Sequence, residues 1–166
     1  MNLAAREAAP LRRVEPRAPA DAPVLIDLWL AAWRATYAEI DFEARRAWFL
    51  AHLADLEAGG ALTLCLREDA SSALEGFVVI DPATGWLDQL CVHPNCFGAG
   101  AAQALIEAAR RASPNGIRLD VNADNERARR FYEREGFTPI GAGALSYSGR
   151  ATVVLEWRPD HAAPGK

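Results

Sequence analysis

Residues 90 to 110 read LCVHPNCFGAGAAQALIEAAR, and this stretch holds the strongest structural signal in the sequence. A hydrophobic strand ends before Pro94, a loop with Gly98 and Gly100 follows, and a helix begins at once. Such a loop brings backbone amides close to a phosphate group, and the positive end of the helix dipole favours its negative charge. The stretch therefore predicts a pyrophosphate site, although glycines before a helix also occur in plain tight turns.

The loop lacks the residues of two common nucleotide-binding motifs. No Gly-Lys-Ser/Thr follows it, as a nucleoside triphosphate loop requires, and the three-glycine pattern of dinucleotide-binding folds is missing. Both of those functions are therefore excluded for this loop.

A second segment, LDVNADNERARRFYEREGF at residues 119 to 137, begins in the next predicted strand. Together the two segments resemble the GNAT superfamily of acyltransferases. In that family a strand ending in V-x-P precedes Q/R-x-x-G-x-G/A, and N-x-x-A-x-x-x-Y-x-x-x-G-F lies downstream. The chain fills the downstream pattern completely, with Asn125, Ala128, Tyr132, Gly136 and Phe137.

The resemblance extends to WRATY around Trp33 and to GFVVI at residues 76 to 80, and it covers residues 11 to 158. It implies an α/β fold of the GNAT acyl-CoA N-acyltransferase type, with about seven strands in a mixed (α+β) central sheet and about four flanking helices. We expect a single GNAT-type domain at residues 11–158, a flexible N-terminal tail at residues 1–10 and a C-terminal tail at residues 159–166.

Hydrophobic periodicity indicates where these elements lie. Apolar residues recur at helical spacing in some segments and alternate in others. Asp21 and Asp124 are the predicted caps of the first and last helices. The predicted helices are about 21–37, 41–57, 101–112 and 124–136, and the predicted strands are about 11–17, 62–67, 74–80, 86–92, 117–121, 137–145 and 151–157.

The resemblance implies that the chain binds acetyl-CoA as its co-substrate. The loop amides hold the pyrophosphate, the edge of the fourth strand holds the pantetheine arm, and Asn125 either hydrogen-bonds that arm or caps the helix. We expect the coenzyme in the cleft where the fourth and fifth strands splay apart. The predicted coenzyme-binding residues are Leu90, Cys91, Val92, Phe97, Gly98, Ala99, Gly100, Ala101, Ala102 and Asn125.

The loop departs from the family pattern at two positions. Phe97 stands where the family has Gln or Arg, and Ala99 stands where a basic residue is common. A lost side-chain donor or charge weakens coenzyme binding by about 1–3 kcal/mol unless another group replaces it. Arg129 or Arg130 is the predicted replacement.

Acetyl transfer needs an acid that protonates the departing thiolate. In the resembling enzymes the residue at the position of Tyr132 commonly has this role. A phenol suits it because its ordinary pKa of about 10 keeps it protonated at neutral pH. The alternative interpretation is that Tyr132 simply packs against the sheet.

The reaction also needs a base, because most of a primary amine is charged at neutral pH. Alternation in WLDQLCV places Asp88 on the same face as Leu90 and Val92, close to the segment that should line the thioester. Asp88 is therefore the first candidate for the base, with Glu75 and His93 as alternatives.

The acceptor pocket is predicted from the resemblance, since the first helix and the late hairpin flank the cleft in similar proteins. Trp33, Tyr37 and Tyr147 are the candidate pocket residues, with core packing as the alternative for Trp33. Cys91 and Cys96 lie near the proposed site, but a nucleophilic cysteine needs an orienting base. We expect both cysteines to be structural.

Composition argues against several other classes of protein. A net charge of -4 and a pI near 5.4 disfavour a nucleic-acid groove. No apolar stretch approaches the ~20 residues of a membrane span, so we expect a cytoplasmic protein without membrane contact. The three cysteines and three histidines have no metal-ligand spacing, which predicts neither a metal site nor disulfides.

We therefore predict an N-acetyltransferase that moves an acetyl group from acetyl-CoA directly to a primary amine of a small molecule or peptide. Phe97 and Ala99 keep a second hypothesis open, a catalytically weak or inactive acyl-CoA-binding sensor or interaction module. The acidic charge disfavours transfer to aminoacyl-tRNA. The acceptor and the oligomeric state, homodimer included, stay open.

Overall fold

The computed structural model describes residues 10–160, in which seven strands and four α-helices form a mixed α/β architecture. The predicted tails, residues 1–10 and 159–166, lie almost entirely outside the described residues. The strands are β1 (Arg12–Pro16), β2 (Leu62–Glu68), β3 (Leu74–Ile80), β4 (Leu87–Val92), β5 (Ile117–Asn122), β6 (Thr138–Ala142) and β7 (Thr152–Trp157). The helices are α1 (Ala22–Thr36), α2 (Arg46–Ala58), α3 (Ala101–Ala112) and α4 (Glu126–Arg134).

The strands form two sheets that meet at β4 and β5. The first sheet has the order β1-β2-β3-β4 and the second has the order β5-β7-β6, with antiparallel neighbours throughout. A parallel bridge between Trp86 and Arg118 joins β4 to β5 near their first residues, where the amide of Arg118 donates to the carbonyl of Gly85 at 2.9 Å. Beyond that bridge the two strands separate, so the predicted splay between the fourth and fifth strands is present.

Two apolar clusters lie on opposite faces of the sheets. The first cluster packs α1 and α2 against the first sheet, with Leu25, Phe49 and Phe77 fully buried. The second cluster packs α3 and α4 against strands of both sheets, and Leu105 and Tyr132 lie in it. Because it contains residues of both sheets, the second cluster holds them together where backbone pairing stops.

Helix boundaries differ from the sequence prediction where local capping differs. Helix α2 begins at Arg46, because a 3-10 turn at Glu43–Arg45 occupies the predicted first turn. Helix α4 is capped by Asn125 rather than Asp124, and the Asn125 side chain accepts from the amide of Ala128 at 3.2 Å. The carboxylate of Asp21 precedes α1 but caps the 3-10 turn before it, accepting from the amide of Ala18 at 2.7 Å.

A β-bulge at Asp88 breaks the alternation predicted for β4. Val79 pairs with Gln89 and Ile80 pairs with Leu87, so Asp88 is the extra residue between them. The side chain of Asp88 reaches α2, whereas Leu90 and Val92 pack with the second cluster on the opposite face. The prediction that Asp88 shares a face with Leu90 and Val92 is therefore wrong.

Gly76 in β3 is a close-packing position that tests this arrangement. A Cβ at Gly76 would lie 2.6 Å from the carbonyl oxygen of Cys91 and 2.9 Å from Cδ1 of Leu105. We expect Gly76→Ala to lower the free energy of unfolding by about 1–3 kcal/mol, because β4 or α3 must shift. Urea unfolding measures the change.

Gly141→Ala is the matched control, since an added Cβ there meets no atom within 4 Å. We expect it to change stability by less than about 0.5 kcal/mol. Equal stability of the two variants would contradict the close contact between β3, β4 and α3.

Candidate active site

Two cavities meet in the gap between β4 and β5. The loop cavity, of about 340 Å³, lies beside the glycine loop and α4, and the aromatic cavity, of about 470 Å³, lies beside α1, α2 and the loop before β7. Four residues line both cavities: Trp33, Leu90, Asn125 and Ala128. The indole N–H of Trp33 is buried without a hydrogen-bond partner among the residues described. An orphan donor at the junction is a place where a ligand atom would complete the site.

The glycine loop presents free amides to the loop cavity. Gly98 and Gly100 have φ angles of 76° and 80°, a left-handed conformation that glycine adopts without strain. Gly100 caps α3, and within residues 10–160 no group accepts a hydrogen bond from the amides of Gly98 or of residues 100–103. Free amide donors and the positive end of the helix dipole therefore lie together at this loop, a combination that favours an anion.

Arg12 in β1 fixes this loop, and the sequence motifs gave no indication of it. Its Nε donates to Oε2 of Glu75 at 2.5 Å, and its Nη1 donates to the carbonyl of Ala99 at 2.6 Å. The side chains of Arg12 and Glu75 are only 14% and 12% exposed. The guanidinium therefore ties β1, β3 and the loop together, and the Glu75 carboxylate balances its charge.

A second cation lies at Phe97, the position where the family pattern is broken. The guanidinium of Arg127 stacks on the Phe97 ring at 3.5 Å, and Arg127 lines the loop cavity. Arg129 instead donates to the carbonyl of Ala123, and Arg130 pairs with Glu126. The predicted replacement by Arg129 or Arg130 is therefore wrong, because α4 turns Arg127 toward the loop.

The free edge of β4 faces the gap between the strands. The amide of His93 donates to the carbonyl of Glu75, so alternate residues of β4 direct their backbone groups toward β3. By this alternation the backbone of Cys91 points to Phe77, and the backbone groups of Leu90 and Val92 point into the gap. Of the three predicted strand residues, Leu90 and Val92 offer unpaired backbone and Cys91 does not.

Asn125 has the helix-capping role that the sequence offered, and it also lines both cavities. Its side-chain oxygen caps α4 by accepting from Ala128, and the residue also lines both cavities at their junction. The cap uses only Oδ1, which leaves Nδ2 as a donor for a ligand.

Tyr132 is buried in the second cluster and also lines the aromatic cavity. Burial raises the pKa of its phenol above the ordinary value, and the charges of Cys91 and Asp120 raise it further. Its ring makes edge contacts with Phe131 and Phe137. The phenol therefore stays protonated at neutral pH and packs at the same time.

Asp88 forms a pair with His52, a residue that the sequence interpretation missed. His52 Nε2 lies 2.8 Å from Asp88 Oδ2, Gln89 Nε2 donates to the same oxygen at 3.1 Å, and Trp48 stacks on the His52 ring at 4.7 Å. Both members of the pair line the aromatic cavity. The helical spacing of Trp48 and His52, four residues apart, is the sequence signal that could have located it.

The alternative bases have other partners. Glu75 is bound to Arg12 at the loop, and the His93 ring accepts from the amide of Asn95 at 3.1 Å to cap a 3-10 turn. Neither residue lines the aromatic cavity, whereas Asp120 does. Enclosure in the cavity raises the pKa of Asp120, and the negative charge of Asp88 raises it further. Asp88 on β4 and Asp120 on β5 therefore place two carboxylates where the aromatic cavity borders the gap between these strands, which we call the inner end of the cavity.

The predicted acceptor residues Trp33, Tyr37 and Tyr147 all line the aromatic cavity. The hydroxyl of Tyr37 donates to Asp124 at 2.7 Å and accepts from Asn122 at 3.1 Å. Three more aromatic residues complete the walls: Trp29, Phe42 and Trp48. A cavity of this composition suits an apolar molecule with a positive charge at one end.

The cysteines are poorly suited to nucleophilic chemistry. Burial raises the pKa of the Cys91 thiol to about 12 and that of Cys65 to about 11. Burial also raises the pKa of Cys96, whose sulfur lies 3.7 Å from Oε1 of Glu75. Because the thiolate is the reactive form, these environments disfavour a covalent intermediate on cysteine.

Two further searches covered the described part of the chain. Residues 10–160 contain no cluster of histidine, cysteine and carboxylate side chains able to hold a metal ion. None of their helices combines the length and the apolar character that crossing a membrane requires.

Comparison with known proteins places this geometry in a family. The sequence profile of the acetyltransferase (GNAT) domain matches residues 49–139, more than half of the chain. Mycothiol acetyltransferase from Beutenbergia cavernae is 39% identical over 91 residues, which are 51% of this chain and 31% of that protein. The match therefore spans less than a third of that relative's length.

Solved structures share the fold over nearly their whole length. A GCN5-related N-acetyltransferase from Rhodopseudomonas palustris has a TM-score of 0.68 and 25% identity, with 92% of this chain and 97% of that chain covered. The PaiA N-acetyltransferase from Thermoplasma acidophilum, solved in complex with coenzyme A, has a TM-score of 0.69 and 18% identity, with 90% and 99% covered. The residues matched by the GNAT profile include the glycine loop, Tyr132 and the strands β4 and β5 that border the gap. Because the match covers more than half of the chain, the chain belongs to the GNAT family of acetyltransferases.

Proposed function

We propose that this enzyme moves the acetyl group of acetyl-CoA directly to a primary amine of a small molecule or peptide, and that residues 11–158 form the GNAT domain that does so. The observation that carries the proposal is the meeting of the two cavities at the gap between β4 and β5. One cavity has the free amides that a pyrophosphate needs, and the other has paired carboxylates that suit an ammonium group.

Coenzyme binding is assigned to the loop cavity. The amides of residues 98 and 100–103 are donors for the pyrophosphate, with Arg127 as a nearby positive charge. The unpaired edge of β4 at Leu90 and Val92 suits the amides of the pantetheine arm, which would extend the sheet like an added strand. The neighbour from Thermoplasma acidophilum, solved with coenzyme A, supports this placement by its shared fold.

Acceptor chemistry is assigned to the inner end of the aromatic cavity. An ammonium group there loses a proton to Asp88, directly or through water, while His52 holds that carboxylate in place. The neutral nitrogen then attacks the thioester carbonyl, so that a C–N bond forms and the C–S bond breaks. The coenzyme leaves as a thiolate, which takes the phenol proton of Tyr132, and the second proton released by the new amide nitrogen restores that phenol.

The sensor hypothesis rests on Phe97 and Ala99. Arg127 stacks on Phe97 and supplies a positive charge beside the loop cavity, and Arg12 holds the loop in place by binding the carbonyl of Ala99. An aromatic cavity that contains Tyr132, Asp88 and His52 also favours catalysis over binding alone. Coenzyme binding without turnover of any amine would favour the sensor.

Tyr132→Phe removes the proposed acid and leaves the ring in place. We expect kcat to fall at least about 100-fold, because the thiolate leaves without a proton donor. Release of free thiol with an amine panel measures kcat, and calorimetry should give an unchanged dissociation constant for acetyl-CoA.

Because the pKa of Tyr132 is raised, the wild-type rate should show no loss from phenol ionisation up to about pH 10. A kcat within twofold of wild type would contradict the role.

Asp88→Asn removes the proposed base and retains the shape of the side chain. We expect kcat/KM to fall about 100-fold at pH 7 and then to rise about tenfold per pH unit, because only the neutral amine, with an ordinary pKa of about 10.4, can react. In the wild type, kcat/KM should stop rising with pH at a lower pH than in Asp88→Asn, because the Asp88 carboxylate accepts the proton of the amine.

Asp81→Asn is the matched control, because Asp81 lies in the turn between β3 and β4 and does not line the aromatic cavity. Its pH profile should follow the wild type. An Asp88→Asn profile that also follows the wild type would remove Asp88 as the base.

A further inference from the structure

The two ends of the aromatic cavity carry opposite charge. Asp88 and Asp120 lie at the inner end, beside the gap between the strands. At the outer end the guanidinium of Arg45 lies 3.8 Å from the Trp48 ring and 3.5 Å from the Tyr147 ring. Among the described residues that line this cavity, Arg45 is the one arginine.

Arg45 has no carboxylate partner within residues 10–160, unlike the arginines near it. Arg34 and Arg46 both pair with Glu43, and Arg150 pairs with Glu39 and with Asp124. Two aromatic rings lie against the guanidinium of Arg45, so its donors remain available in its own plane. A half-buried guanidinium held in this way is prepared to bind a planar anion by two hydrogen bonds.

Helix α2 sets the distance between the two ends. Arg45, Trp48 and His52 are spaced three and four residues apart, which places them on one face, and all three line the cavity. Arg45 ends the 3-10 turn that leads into α2; its guanidinium lies 3.8 Å from the Trp48 ring centroid, which lies 4.7 Å from the His52 ring centroid, so the Arg45 and His52 side chains lie within about 9 Å of each other. His52 in turn binds Asp88 at 2.8 Å. An elongated acceptor can therefore reach both charges at once.

Polar groups at the outer end fit the same kind of ligand. Ser146 and Ser148 flank Tyr147 and line the cavity, and their hydroxyl oxygens lie 3.2 Å apart. Ser146 Oγ also accepts from the amide of Arg150 at 3.1 Å, and a serine hydroxyl in this cavity is a further donor for an anion.

We infer that the acceptor is a primary amine with an aromatic or apolar body and a carboxylate at its far end, and that Arg45 binds this carboxylate. The inference rests on the proposed function and specifies its acceptor class. The amine lies at Asp88 and Asp120, the body lies between the aromatic walls, and the anion lies in the plane of the Arg45 guanidinium. Because opposite charges occupy the two ends of the cavity, the acceptor is held in one orientation.

A matched pair of acceptors tests the inference. 4-(2-Aminoethyl)benzoate carries the carboxylate, and 2-(4-methylphenyl)ethylamine has a methyl group in its place. We expect the wild-type enzyme to prefer the carboxylate by at least about tenfold in kcat/KM, the size of one charged hydrogen bond. In Arg45→Gln the ratio of the two kcat/KM values should fall to within about twofold of one.

Arg46→Gln is the control, because Arg46 is paired with Glu43 and Asp27 and does not line the cavity. It should keep the wild-type preference. A wild-type ratio near one, with both amines acetylated, would overturn the inference and leave the proposed function standing. A preference that survives in Arg45→Gln would overturn the role of Arg45.

Inhibition of the wild-type enzyme gives a measurement that does not depend on the folding of a variant. 4-Methylbenzoate should compete with an amine acceptor at least about fivefold more tightly than its neutral amide, 4-methylbenzamide. Equal inhibition would overturn the inference. Failure of both test amines, with other amines acetylated, would overturn it as well, whereas failure of every amine in a broad panel would overturn the proposed function.

Discussion

The structure depends on the separation of β4 from β5. The two strands are joined at Trp86 and Arg118, and beyond that point no ladder connects them. An unpaired strand edge buried in a protein is costly unless something pairs with it. Here the edge at Leu90 and Val92 borders two cavities, and the N-termini of α3 and α4 lie at its far end. The gap therefore leaves backbone groups of β4 without partners and also provides the space in which a ligand can bind them.

The two sides of the gap favour ligand groups of opposite charge. On the loop side, free amides, a helix N-terminus and Arg127 favour an anion. On the aromatic side, Asp88 and Asp120 favour a cation, and the pKa of Asp120 is raised by burial first and by the charge of Asp88 second. A phosphorylated thioester and an ammonium group can thus approach the junction from opposite sides, which is the arrangement that direct transfer requires.

Local sequence patterns were sufficient for the fold and for part of the site. The glycine loop, the strand before it and the motif around Tyr132 are contiguous segments, so the resemblance to the GNAT pattern was enough to select them. The partners of these residues were not visible, because Arg12 lies 87 residues from Ala99 and His52 lies 36 residues from Asp88. The bulge at Asp88 also escaped prediction, since alternation in WLDQLCV continues through it and only the pairing with β3 reveals the extra residue. The cap at Asn125 fixes the residue at which α4 begins. The rotation of the helix from that residue places Arg127, and not Arg129, toward the loop.

The central claim is that the loop amides and the free edge of β4 bind acetyl-CoA. Amide NMR of the labelled protein during titration with acetyl-CoA tests it most directly. The amides of Gly98 and residues 100–103 should shift strongly and saturate together with those of Leu90 and Val92, while exposed amides in β6 stay unchanged. Saturating acetyl-CoA that leaves the loop and β4 amides unmoved would contradict the assignment of the site.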